Sequence, residues 1–269
     1  MKNWQYDTET AVSEVSTGRW STRISSAWNI GTTPNGGYVA ASGLRAMGRQ
    51  VDQPDPVSVT TYYLRPGLGD QPGDVSLEII RAGRRTSSAT ASLHQQGKER
   101  LRMVAAFADL EAPGDGEPTP PALSIPMIDL PPPDACRSRT TVEQGVDVAI
   151  TSRLDVRLAP APNGGAIDER AEVAGWVRFA DNRPPDAEAL VLFADAFPPS
   201  VFAVFGSVGW VPTLELTVHV RRRPVAGWIA ARFRTRDLAN GLFVEDGELW
   251  DESGNLVAQS RQLAMLLRK

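Results

Sequence analysis

A chain of 269 residues, 42% of them hydrophobic and 22% charged, can bury one large core or two modest ones and has the balance of an ordinary folded protein. Its net charge of -4 provides no overall attraction to nucleic acid or to an anionic membrane. The single cysteine, Cys136, excludes an internal disulfide, and two histidines, His94 and His219, argue against a histidine-rich metal site.

The opening Met1-Lys2-Asn3-Trp4-Gln5-Tyr6-Asp7 lacks the apolar run of a secretory signal, and no later run is long enough to span a bilayer. A cytoplasmic location with no membrane partner is therefore expected. Asn35-Gly36-Gly37 then leads into a helix in which Val39, Ala40, Leu44 and Met47 are apolar. Ala41, Ser42 and Gly43 are small enough to let a sheet approach that helix closely. Asn35 is suited to cap it, with Gly36 and Gly37 at the positive end of its dipole. A strand over 57–64 follows and ends at Arg65-Pro66, and alternating segments at 74–81, 84–94 and 101–107 complete an antiparallel sheet.

Residues 111–135 are rich in proline, glycine and acid, which marks a connection rather than a packed element. The expected division is 1–112, a linker at 113–137, and 138–269. The second half repeats the order of the first: a helix over 187–197, a strand over 213–220 closed by Arg223-Pro224, then segments at 228–234, 242–250 and 256–266. Such a repeat argues for a duplicated unit with a cleft between its copies.

Asp195 is out of place on physical grounds. It sits among Ala189, Leu190, Val191, Leu192, Phe193 and Phe197, near a helix C-terminus where the dipole disfavours negative charge, and Pro198-Pro199 breaks the helix just beyond it. A carboxyl that tolerates burial there is held at a raised pKa, which suits a general base. The plainer reading places Asp195 at solvent or as the cap of the next turn.

Trp28-Asn29-Ile30-Gly31-Thr32-Thr33-Pro34-Asn35-Gly36-Gly37, Tyr62-Tyr63-Leu64-Arg65-Pro66 and Val257-Ala258-Gln259-Ser260-Arg261-Gln262-Leu263-Ala264 occur in an order that resembles the double-hotdog acyl-CoA thioesterases of the thioesterase II type. The resemblance covers nearly the whole chain. It implies an α+β fold of two hotdog units, each a curved antiparallel sheet wrapped around a long central helix, with acyl-CoA near their interface. It further implies hydrolysis by water supported by an Asp, a Thr and a Gln, which fall on Asp195, Thr213 and Gln262. No cofactor or metal is implied, and open sheet edges make a homodimer an expected partner arrangement. One residue is extra between Thr213 and Pro224 relative to the family pattern.

On that reading Asp195 takes a proton from the attacking water while Thr213 and Gln262 hold the water or the carboxylate. Backbone N–H groups of Gly36, Gly37 or Tyr38 meet the oxyanion. Glu215 shares strand parity with Thr213 and is the rival carboxylate. Arg81, Arg84, Arg85 and Arg221-Arg222-Arg223 are candidates for the coenzyme phosphates, although solvated strand ends account for most such residues. Trp20, Trp28, Phe205 and Trp210 are candidates for an apolar acyl slot, although core packing explains most large aromatics.

A serine hydrolase would need Gly-x-Ser-x-Gly, and Ser207 has Phe205 where the first glycine belongs. Neither histidine lies at a helix start, where hotdog dehydratases would use one. The open alternative is a non-catalytic acyl-CoA or lipid-binding hotdog protein.

Overall fold

The computed structural model describes residues 2–112, 123–140, 145–160, 171–207 and 210–267. In chain order the first half runs α1 (Gln5–Glu9), β1 (Val12–Ser16), β2 (Arg19–Ile24), β3 (Asn29–Ile30), β4 (Thr33–Pro34), α2 (Gly36–Gly48), β5 (Asp55–Tyr63), β6 (Gln71–Arg81), β7 (Ser87–Gln95) and β8 (Lys98–Ala108). The second runs β9 (Arg137–Ser138), β10 (Leu154–Leu158), β11 (Ala171–Phe179), α3 (Ala187–Phe193), α4 (Phe202–Phe205), β12 (Thr213–Val220), β13 (Ile229–Ala239), β14 (Leu242–Asp251) and β15 (Leu256–Met265). Alternation explains the strands: β7 buries Ser87, Ala89, Ala91, Leu93 and Gln95 and leaves every residue between them partly open.

Thirteen of the strands form one continuous antiparallel sheet rather than a separate sheet in each half, in the order β1-β2-β6-β7-β8-β5-β12-β15-β14-β13-β11-β10-β9 among the described residues, and β3 and β4 pair apart from it as a two-stranded ribbon. The halves meet where β5 pairs with β12, through partners such as Val59↔Val218 and Thr61↔Leu216. These are the equivalent strands of the two copies, each the first after its helix. Thr60 and Thr217 share a hydroxyl hydrogen bond of 2.8 Å across the seam.

Helices α2 and α3 lie on one face of this sheet and against each other. Ten residues of α2 are buried, and Gly43 is so close to β8 that an added Cβ would stand 2.6 Å from Met103 Sδ. Asn35 caps the helix as expected, its Oδ1 accepting the Tyr38 N–H at 3.0 Å. The second helix is shorter than expected, seven residues ending at Phe193, because the backbone ahead of Pro198-Pro199 turns out of the helix. The start of α2 lies beside the end of α3, with Gly37 against Leu192, and Arg45 near the end of α2 reaches Glu188 near the start of α3 at 3.4 Å. The helices are therefore antiparallel, and their dipoles lie head to tail.

Of the stretch expected to link the halves, 113–122 lies outside the described residues, whereas 123–136 packs as a strap. Ile125, Met127, Ile128 and Leu130 rest on Trp176, Ala230, Trp250 and Leu256. The Nε1–H groups of Trp250 and Trp176 donate to the carbonyls of Ile125 (3.0 Å) and Pro131 (2.8 Å). Leu249, next to Trp250, points into the main core, so the strap covers the opposite face of the sheet.

The closeness of the two helices depends on Gly37, where an added Cβ would sit 3.0 Å from Leu192 Cα and 3.1 Å from Asp195 Cβ. Gly37→Ala is expected to destabilise the fold by about 1–3 kcal/mol through this overpacking, measured as a lower denaturant midpoint at unchanged slope.

Candidate active site

The chain turns twice after α3 before meeting Pro198, and this places Asp195 just beyond the helix, its own N–H donating to the Leu192 carbonyl at 3.0 Å. Its side chain points across to the start of α2. Gly37 N–H donates to Asp195 Oδ2 at 2.8 Å, and Asn35 Nδ2 donates to the same oxygen at 2.9 Å and to the Asp195 carbonyl at 2.7 Å. Both glycines are needed for this approach, since a Cβ on Gly36 would fall 3.0 Å from Asp195 Oδ2 and 2.9 Å from the Tyr63 ring.

Burial pushes the Asp195 carboxyl up to about 6. The Gly37 N–H, the buried Arg139 guanidinium, Asn35 and the Gly36 backbone pull it part of the way back. Arg139 donates to the Ala196 carbonyl at 2.5 Å, so its charge lies below the loop that carries Asp195. The outcome is a carboxylate held by donors yet costly to ionise, which is the state a base near neutral pH requires.

Asp195 opens on a cavity of about 290 Å³ that Thr213 and Gln262 also line, so all three acid, hydroxyl and amide residues meet in one place. Thr213 Oγ1 donates to Gln262 Oε1 at 3.5 Å, and Gln262 Nε2 donates to Glu245 Oε1 at 3.2 Å. The expectation that Thr213 and Gln262 supply the donors for Asp195 is not what the geometry shows. Those donors come from Asn35 and Gly37, one half away.

The donors expected for an oxyanion are engaged elsewhere: the backbone N–H groups of Gly36 and Gly37 meet Asp195, and Tyr38 N–H meets Asn35. The Tyr38 side chain belongs to the core, stacked on Trp28 at 4.6 Å and donating from its hydroxyl to the Glu9 carbonyl. The rival Glu215 is absent from the cavity lining. A register shift lies between Thr213, opposite buried Ala264, and Glu215, opposite Leu263, so the two residues face opposite sides of the sheet. Parity counted along the sequence fails there because a bulge absorbs one residue.

Sequence reasoning missed Glu245, which is 6% exposed and lines the cavity. It occupies the inward series Phe243, Glu245, Gly247 and Leu249 of β14, so a carboxylate in step with apolar residues was the available signal. Of the aromatic candidates, Trp210 lines the cavity, joined by Phe197 and Phe233, whereas Trp20 and Trp28 are core. None of the proposed coenzyme arginines lines it. Arg223 is bound to Asp55 at 2.8 Å and to Glu111 at 2.7 Å, while Arg65 and Arg100 contribute to the cavity wall instead.

Comparison with known proteins accounts for both halves. Residues 24–108 match the acyl-CoA thioesterase N-terminal domain and 131–266 the acyl-CoA thioesterase C-terminal domain. An uncharacterised protein of Mycobacterium tuberculosis is 30% identical over 260 residues, covering 89% of this chain and 88% of its own. A Thermobifida fusca YX protein provisionally called a thioesterase II superposes with a TM-score of 0.87 at 29% identity, with 98% of each chain covered. A hot dog protein of unknown function from Alicyclobacillus acidocaldarius gives 0.85 at 22% identity over 100% of both chains, and supports the hot dog fold.

The raised carboxyl makes a prediction about stability. The folded state favours protonated Asp195, so its contribution is complete below the ordinary value of 3.8 and is lost as pH rises through about 6. Asp195→Asn is expected to be more stable than the parent by on the order of 2 kcal/mol at alkaline pH, the advantage vanishing under acid conditions. Denaturant unfolding across that range measures it.

Proposed function

Because the chain belongs to the acyl-CoA thioesterase family and is a thioester hydrolase, we propose that it cleaves fatty acyl-CoA, or a related acyl-CoA, to the free acid and coenzyme A by Asp195-assisted attack of water. The observation that carries this reading is the convergence of Asp195, Thr213 and Gln262 on one cavity between the helix pair and the seam. Asp195 accepts a proton from water as the C–O bond forms; the C–S bond then breaks, and the proton passes to the departing thiolate. Atoms balance without a covalent acyl-enzyme.

Thr213 donates its hydroxyl hydrogen to Gln262, which leaves its oxygen lone pairs free to accept from water. In this reading the N–H groups of Gly36 and Gly37 hold the base, and that of Tyr38 is taken by the Asn35 cap of α2. The apolar wall of Ile30, Val39, Leu101, Phe197 and Phe233 suits an acyl chain, and exposed Arg65 at the cavity suits a coenzyme phosphate.

Asp195→Asn is expected to reduce kcat for acyl-CoA hydrolysis by about 10²- to 10⁴-fold, read as release of free thiol. The parent rate should fall as pH drops through about 6, where the base becomes protonated, and a variant with full activity would remove Asp195 from this role. Saturable acyl-CoA binding without thiol release by the parent would instead identify a binding protein. Arg65→Ala is expected to raise KM for acyl-CoA several-fold, roughly one charge-assisted contact, with kcat little changed.

A further inference from the structure

Glu245 lies outside the trio assigned above, yet both of its carboxylate oxygens are committed. Oε1 accepts from Gln262 Nε2 at 3.2 Å, and Oε2 accepts from the backbone N–H of Ser200 at 2.6 Å. The first bond joins directly opposed residues of β14 and β15. The second ties the same carboxylate to the segment that carries Asp195 away from α3. Ser200 is itself fully buried, and its hydroxyl donates to Thr235 at 3.0 Å.

From this placement we infer that Glu245 is a positioning residue for the thioesterase reaction: by accepting from Gln262 Nε2 it fixes which end of that amide faces Thr213. The inference rests on the reading of the site given above. Glutamine has a donor end and an acceptor end of nearly equal shape, and either fits the same space. With Nε2 held by the ionised carboxylate, which can only accept, Oε1 must face Thr213, and the Thr213 hydroxyl must donate to it. Reversal of the amide would make Thr213 the acceptor, so one of its two lone pairs would be taken from water and its hydrogen would turn elsewhere.

The environment keeps this acceptor costly. Burial pushes the Glu245 carboxyl up to about 7, the Ser200 contacts oppose the rise, and Asp195 across the cavity and Asp246 on the same strand add to it. A buried acid of this kind is retained at a stability cost, and its two hydrogen bonds identify what it holds.

Glu245→Gln tests the inference because it preserves shape but replaces one acceptor oxygen with a donor. Ser200 N–H and Gln262 Nε2–H cannot then both be accepted as before, and Gln262 is expected to rotate. Two measurements separate this proposal from the proposed reaction. In the first, the Gln262 side-chain amide resonances, assigned by their loss in Gln262→Ala, should shift in Glu245→Gln; unchanged resonances overturn the inference whatever the activity. In the second, Glu245→Gln should lower kcat about 10- to 100-fold with little change in KM, and should cost nothing further in a Gln262→Ala background. Additive losses would show that Glu245 acts otherwise than through Gln262. A parent protein that releases no thiol, with Gln262 resonances that still respond to Glu245, would refute the reaction and leave the positioning intact.

Discussion

The organisation of this molecule depends on one contact: a carboxylate at the end of one helix set against the start of another. Asp195 follows α3, where its charge is disfavoured by that helix, and lies at the first turn of α2, where the same charge is favoured. The antiparallel helix pair places these two fields at one point. Glycine at 36 and 37 and the Asn35 cap are the local means by which the first half receives a charge from the second.

The duplication takes on a different meaning from the one its sequence suggests. The two halves contribute different and complementary parts to one site. The first contributes a helix start without side chains and the second a shortened helix with an acid beyond it. The seam between β5 and β12 makes them one sheet, so the distance between donor and acceptor is set by continuous backbone pairing.

Much of the fold was legible because its signals are local. Asn35 followed by small residues marks a capped helix, and alternation marks the strands that follow each helix. The first strand was harder: β1 buries only Val12 of its five residues, so it carries no alternation to read. The strap resisted prediction for the opposite reason. Its prolines resemble those of a loose connection, whereas its apolar residues Ile125, Met127, Ile128 and Leu130 and two tryptophan hydrogen bonds hold it on the sheet. In the site, Asp195 announced itself as a charge in an apolar setting. Its true donors could not be read, because nothing in the local sequence of either half says which helix end will face it. Glu215 misled for want of a bulge that only pairing reveals, and Glu245 was hidden in an otherwise ordinary strand face.

The arrangement of Asn35, Gly37, Asp195 and Gln262 also has a temporal side. During synthesis the donors emerge before the acid, and the acid before the amide. An isolated first half would hold the start of α2 with nothing to grip, and an isolated second half a buried acid with no donors from α2. The contacts of Asn35 and Gly37 with Asp195 thus come into being only when both halves have closed along their common seam.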